Sequence, residues 1–168
     1  LAGVNGHSFN IGAGRTFTIN GTLLGDLDDV RDLTKTGDGI LVLAGTAPAG
    51  ANDLSDVILS AGTLRFGSDT AIQNASLTIN AGNVEAGGAG RTINSNLTIG
   101  GNFEFSGLHS LTFSGATSIG SSVRTITVGG SAGTVFSLDG TISDSDTGGI
   151  TKAGSGTLYL SNTNHGYS

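Results

Sequence analysis

The chain of 168 residues contains no cysteine, no methionine and no tryptophan, and proline occurs once. Without cysteine it has neither disulfides nor thiolate metal sites. Charged residues make up 12% of the chain, about half the usual share of soluble domains. The seven basic residues, Arg15, Arg31, Lys35, Arg65, Arg91, Arg124 and Lys152, are scattered. They form no stripe that could neutralise phosphates, which argues against nucleic acid as a partner. Every apolar run falls short of the ~18 residues that a membrane-spanning helix requires. With no Met anywhere and Leu1 at its start, the chain is expected to be a processed product or an excised piece of a longer one.

What is present points to short strands and tight turns. Glycine contributes 30 residues, and 36% of the chain is hydrophobic. That apolar share is too high for disorder. Ile, Leu, Val and Phe sit between Thr, Ser, Asn and Gly, the mixture that strands joined by turns require. The net charge is −6. Alternating segments recur throughout, among them Phe17-Thr18-Ile19, Ile40 to Leu43, Leu77-Thr78-Ile79, Leu97-Thr98-Ile99, Leu111-Thr112-Phe113 and Leu158-Tyr159-Leu160. Their period of 2 reads as strand, and the Gly, Asn, Asp and Ser between them read as turn. No stretch carries a helical period, and the frequent glycines would make a helix costly.

A sandwich or barrel needs hairpins, and clear hairpin pairs are missing. A solenoid needs only short strands stacked coil upon coil. Ile40, Ile58, Leu77 and Leu97 lie near 20 residues apart, a plausible coil length. The expected fold is therefore an all-β, right-handed parallel β-helix (β-solenoid) of about eight coils, on the order of 40 Å long at roughly 4.8 Å per layer. Pro48, in the segment Ala47 to Asn52, is expected between strands, where a missing N–H does least harm.

A long repeat overlies the short one. LTKTGDGILVLAGT begins at Leu33 and ITKAGSGTLYLSNT at Ile150, 117 positions later. Upstream, FTINGTL at Phe17 answers FSLDGTI at Phe136. The chain thus reads as a single segment over 1–168, with a long repeat over 17–135 and a second, partial copy over 136–168. In this motif Gly37, Gly39, Gly154 and Gly156 allow tight turns. Leu41, Leu43, Leu158 and Leu160 are expected to fill the coil interior, and Lys35 and Lys152 to point outward as solvated charges.

These two motifs resemble the passenger-associated repeat of bacterial autotransporters, with its L-T-K-x-G-x-G-x-L-x-L pattern. The second copy continues with Asn164 and Tyr167 as that repeat does; the first has Ala47-Pro48-Ala49-Gly50 instead. The resemblance implies secretion to a bacterial surface and a β-helical scaffold. It does not specify a chemistry, since such passengers include adhesins, proteases and toxins.

Candidate chemistry is sparse. His7, His109 and His165 have no metal-ligand spacing, no G-x-S-x-G elbow occurs, and the only glutamates are Glu85 and Glu104. An enzyme is not expected. Two acidic clusters precede the lysine motifs: Asp26, Asp28, Asp29 and Asp32, then Asp139, Asp144 and Asp146. They are the candidates for calcium, in equivalent loops on one side of the rod. A solvated loop that discourages sideways aggregation is the simpler reading. Three N-x-S/T sequons, at Asn20, Asn74 and Asn96, read as strand and turn residues if the source is bacterial. The expected role is a structural or adhesive segment of a secreted or cell-surface protein, a stalk, fibre or filament subunit. Expected partners are further copies stacked end to end, continuing chain, surface glycans or other surface proteins. The alternative is a carbohydrate-binding module on a side face.

Overall fold

The computed structural model describes residues 6–22, 31–46, 54–145 and 147–161. Among these, every regular element is a strand. In chain order they are β1 (His7–Asn10), β2 (Thr16–Ile19), β3 (Arg31–Thr36), β4 (Ile40–Leu43), β5 (Leu54–Leu59), β6 (Thr63–Phe66), β7 (Ser76–Ile79), β8 (Asn83–Ala86) and β9 (Arg91–Ile93). There follow β10 (Leu97–Ile99), β11 (Phe103–Phe105), β12 (Leu111–Phe113), β13 (Thr117–Ser118), β14 (Val123–Val128), β15 (Val135–Leu138), β16 (Ile142–Ser143), β17 (Gly149–Ala153) and β18 (Thr157–Leu160).

All pairings are parallel. Sheet A runs β1-β3-β5-β7-β10-β13-β16, sheet B runs β2-β4-β6-β8-β11-β14-β17, and sheet C runs β9-β12-β15-β18. The chain is a parallel β-solenoid. Among the described residues, seven strands in sheet A mark seven stacked coils, six full turns from β1 to β16, where about eight coils are expected over the whole chain. Coil length varies along the stack. Register partners lie 20 residues apart from Val57 to Leu77, Leu97 and Thr117. Elsewhere the spacing is 26 from His7 to Leu33, 24 from Leu33 to Val57 and 25 from Thr117 to Ile142. Of the four residues that suggested the coil length, only Leu77 and Leu97 face each other across a ladder. Ile40 lies in sheet B, and Ile58 stands on the outward phase of sheet A.

Period-2 alternation divides each strand between the interior and the surface. In sheet A the inward column at Leu33 continues through Val57, Leu77 and Leu97, all buried. The neighbouring outward column is Thr34, Ile58, Thr78, Thr98, Ser118 and Ser143. Across the interior, Phe136 packs against Phe103, Phe105 and Phe113 at centroid distances of 5.7, 5.4 and 6.0 Å. Phe66 meets Phe113 edge-on. In the third coil, turns over Ser68 to Asn74 take the position that sheet C occupies later, burying Ala71 and Ile72. Pro48 lies outside the described residues.

The two copies of the lysine motif do not occupy the same faces. Leu33 to Leu43 forms β3 and β4 and turns the corner from sheet A to sheet B; Ile150 to Leu160 forms β17 and β18 and turns from sheet B to sheet C. Five turns from Leu33 lead to Ile142, so the 117-residue shift overshoots by one face. Of the acidic residues before the motifs that are described, Asp32 lies within β3 of sheet A, whereas Asp139 and Asp144 follow β15 of sheet C and β16 of sheet A.

Candidate functional site

The motif's first strand explains its lysine. Leu33 and Lys35 share the inward phase of β3, and Lys35 stands in a column with Phe9, Leu59, Ile79 and Ile99. It is fully buried, contrary to the outward placement expected from its charge. The expectation weighed the charge and overlooked the parity, which was legible in the Leu-Thr-Lys order.

A buried ammonium must have partners. Its position at the strand end provides them, because carbonyls at a corner leave the ladder. Lys35 Nζ donates to Thr36 O at 2.7 Å and Gly37 O at 2.6 Å in its own corner. It also donates to Ala61 O at 3.1 Å in the next coil. All three N–H donors of the ammonium are used. Burial pulls the Lys35 pKa below its ordinary value, while nearby Asp38 acts to raise it. Gly62 completes the corner. At φ +71° it is left-handed, and a Cβ there would collide with Gly37 O and Gly39 O and stand 2.7 Å from Lys35 Nζ.

The other motif residues divide by coil. Leu41 and Leu43 are buried as expected, whereas Leu158 and Leu160 are half-buried because among the described residues β18 pairs only with β15. Gly37 and Gly154 are left-handed, at φ +70° and +77°. Gly39 and Gly156 are not, but a Cβ on either would meet a carbonyl of the preceding coil, Gly12 O and Gly129 O respectively. Lys152 stands over buried Ile126 on the inward phase of β17 and is exposed, since among the described residues β17 pairs only with β14. Its Nζ donates to Ala153 O at 3.3 Å and Gly154 O at 2.7 Å.

The calcium candidates are not gathered by the described structure. Asp26, Asp28, Asp29 and Asp146 lie outside the described residues. Asp139 follows β15 at the sheet C to sheet A corner and accepts a hydrogen bond from Ser137 Oγ. Asp144 follows β16 at the sheet A to sheet B corner, with Oδ2 buried and unpartnered. Among the described residues no group of three His, Cys, Asp or Glu could hold a metal ion. His7 is in β1, His109 is in the turn before β12, and His165 is outside the described residues.

On the side faces the clearest polar feature is Arg65, facing Glu85 across sheet B. Its Nε and NH2 lie 2.8 and 2.7 Å from Glu85 Oε2. Asn83 supports the other carboxylate oxygen at 2.9 Å. Arg65 and Glu85 line a shallow cleft with Leu108 and His109. Among the described residues the large exposed aromatics are Phe17, at 48%, and Tyr159, at 54%, at opposite ends of the described stack. Phe17 is an interior residue left uncovered, stacked on Leu41; Tyr159 faces outward next to Ser137.

No family model, curated protein or solved structure matches the chain. The class that the fold defines is the parallel β-solenoid.

Proposed function

We propose that the chain is a structural stalk or fibre segment of a secreted or cell-surface bacterial protein, with a scaffold's role and not a catalyst's. The observation that carries this reading is the unbroken parallel stack, whose corners are locked by backbone contacts and a buried lysine. A stack of this kind supplies reach and stiffness, since each coil contacts only its neighbours and adds one layer of length. The lysine motifs resemble the passenger-associated repeat of autotransporters, and the surface location rests on that resemblance. The test is antibody labelling of intact cells of the source organism. Labelling without permeabilisation is expected; labelling only after permeabilisation would overturn the reading.

A side-face carbohydrate site is the second reading. It draws on the outward ring of Tyr159, since sugars stack on exposed aromatic faces. A glycan-array signal lost in Tyr159→Ala would favour it over a pure spacer.

A further inference from the structure

One side-face cleft presents hydrogen-bond donors that the protein leaves unused. It lies on the corner that leads into β7 and β10 of sheet A, and Asn74, Ser76, Asn94, Asn96 and Gly115 line it. These are the fourth and fifth of the seven strands of sheet A, paired with neighbours on both sides. The cleft holds about 150 Å³, room for several water molecules. Its sequence is repeated. Asn-Ala-Ser-Leu-Thr-Ile begins at Asn74 and Asn-Ser-Asn-Leu-Thr-Ile at Asn94, and Leu77 pairs with Leu97. Each asparagine has a structural task that leaves its Nδ2 free. Asn74 takes φ +71°, which Asn tolerates. Asn96 Oδ1 accepts from Ala116 N at 3.2 Å in the next coil. That contact fixes which way the amide points, since a backbone N–H only donates. Asn94 Oδ1 accepts from Ser114 Oγ at 3.4 Å. All three side chains are exposed, and among the described residues no acceptor meets their Nδ2 groups.

We propose that this cleft binds a neutral oligosaccharide, with Asn94 Nδ2 and Asn96 Nδ2 donating to its hydroxyl or ring oxygens. The site goes beyond the stalk reading. It also stands apart from Tyr159, whose strand β18 is three places along sheet C from β9. Three observations set the ligand's chemistry. First, the unused groups of Asn94 and Asn96 are donors, so the ligand must bring acceptor oxygens. Second, those oxygens are uncharged. No cation lines the cleft, and Asp56 pairs with Ser76 on the neighbouring strand, so an anion would meet a carboxylate and no counter-charge. Third, the donors are spread out. Asn94 and Asn96 are separated by inward-facing Ser95, and Asn74 lies one coil away, roughly 4.8 Å. A single carbonyl or carboxylate cannot reach all three, whereas a sugar carries oxygens around its whole ring. Its hydroxyls also donate, which suits the Asn74 oxygen, and they replace solvent hydrogen bonds at little loss.

The test probes the chain on an array of neutral and acidic oligosaccharides. Wild-type protein is expected to bind neutral glycans. A double variant, Asn94→Asp with Asn96→Asp, keeps oxygens for Ser114 Oγ and Ala116 N and turns both amide donors into acceptors. Binding should fall by about 10-fold to 100-fold, the worth of two hydrogen bonds, with circular dichroism and melting temperature close to wild type. Tyr159→Ala should bind as wild type does. A second measurement uses the unaltered chain. Titration with the neutral glycan of strongest array signal should shift the side-chain amide resonances of Asn94 and Asn96. Binding of no glycan, binding confined to acidic glycans, or binding unchanged in the double variant would each overturn the proposal, as would loss of binding in Tyr159→Ala. A glycan attached covalently at the sequon of Asn96 would overturn it too, since that amide would be consumed. None of those results bears on surface labelling of cells, so failure here is distinguishable from failure of the stalk reading.

Discussion

Replacing Lys35 by Met tests whether a buried charge can hold two coils together. The substitution keeps the apolar stem and nearly the volume, so the cavity contribution is small. It removes three hydrogen bonds, to Thr36 O, Gly37 O and Ala61 O. At about 1.5–3 kcal/mol for each bond from a charged donor, the gross loss is about 5–9 kcal/mol. Against this stands the cost of burying an ammonium, several kcal/mol after relaxation. Gly37 O and Ala61 O lose this donor in the variant and add to the loss, whereas Thr36 O still accepts from Ile11 N. The expected net destabilisation is about 2–4 kcal/mol. For a chain of this size each kcal/mol moves the midpoint by roughly 2–4 °C, so Tm should fall by about 4–16 °C. Thermal melts followed by far-ultraviolet circular dichroism would measure it, with Lys152→Met as the partner experiment in which no change is expected. A Lys35→Met protein as stable as wild type, or more so, would refute the reasoning. It would mean that desolvation of the ammonium consumes everything its contacts return.

Three further outcomes follow from the same geometry. Gly62→Ala should cost about 2–5 kcal/mol, from a left-handed Ala and a collision with two carbonyls, whereas Gly120→Ala, at φ +65° with nothing within 4 Å, should cost only about 1–2 kcal/mol; paired chemical-denaturation curves would show the difference. Phe136→Ala empties the centre of the aromatic cluster and should cost about 3–5 kcal/mol, while Phe17→Ala, at the uncovered first coil, should cost less than half as much by the same measurement. The lowered pKa of Lys35 sets a pH dependence: between that lowered value and the ordinary 10.5 the unfolded chain binds more protons than the folded one, so stability should rise with pH across the window. Melts at stepped alkaline pH should show this rise in wild type and lose it in Lys35→Met.

Much of the fold is legible from residue parity. Alternation at Phe17 to Ile19, Ile40 to Leu43, Leu111 to Phe113 and Leu158 to Leu160 predicts strands where β2, β4, β12 and β18 lie. Strands with little apolar signal escape such a reading. β8 offers Val84 as its one large apolar residue; β13 is Thr117-Ser118 alone, with Thr117 in the buried position. They are strands because neighbouring coils present a ladder to pair with, which no local pattern encodes. Coil length escapes the sequence for a related reason. The corners take in extra residues at some turns and not at others, and only pairing reveals which.

For the candidate site the division is similar. The pattern Leu/Ile-Thr-Lys-x-Gly-x-Gly, present at Leu33 and Ile150, by itself determines two like corners, each with an inward lysine and glycines where a Cβ would strike the backbone. It determines them because side-chain parity and the steric demands of a tight turn are local properties. Whether each lysine is buried was decided only by stacking. Lys35 lies under the coil that supplies Ala61 O, and Lys152 lies under none of the described strands. The faces on which the two corners fall were also set by stacking, since they depend on the summed lengths of five intervening turns. Burial and register are sums over distant parts of the chain, and so the same seven-residue pattern becomes a closed joint in one copy, while no described strand covers it in the other.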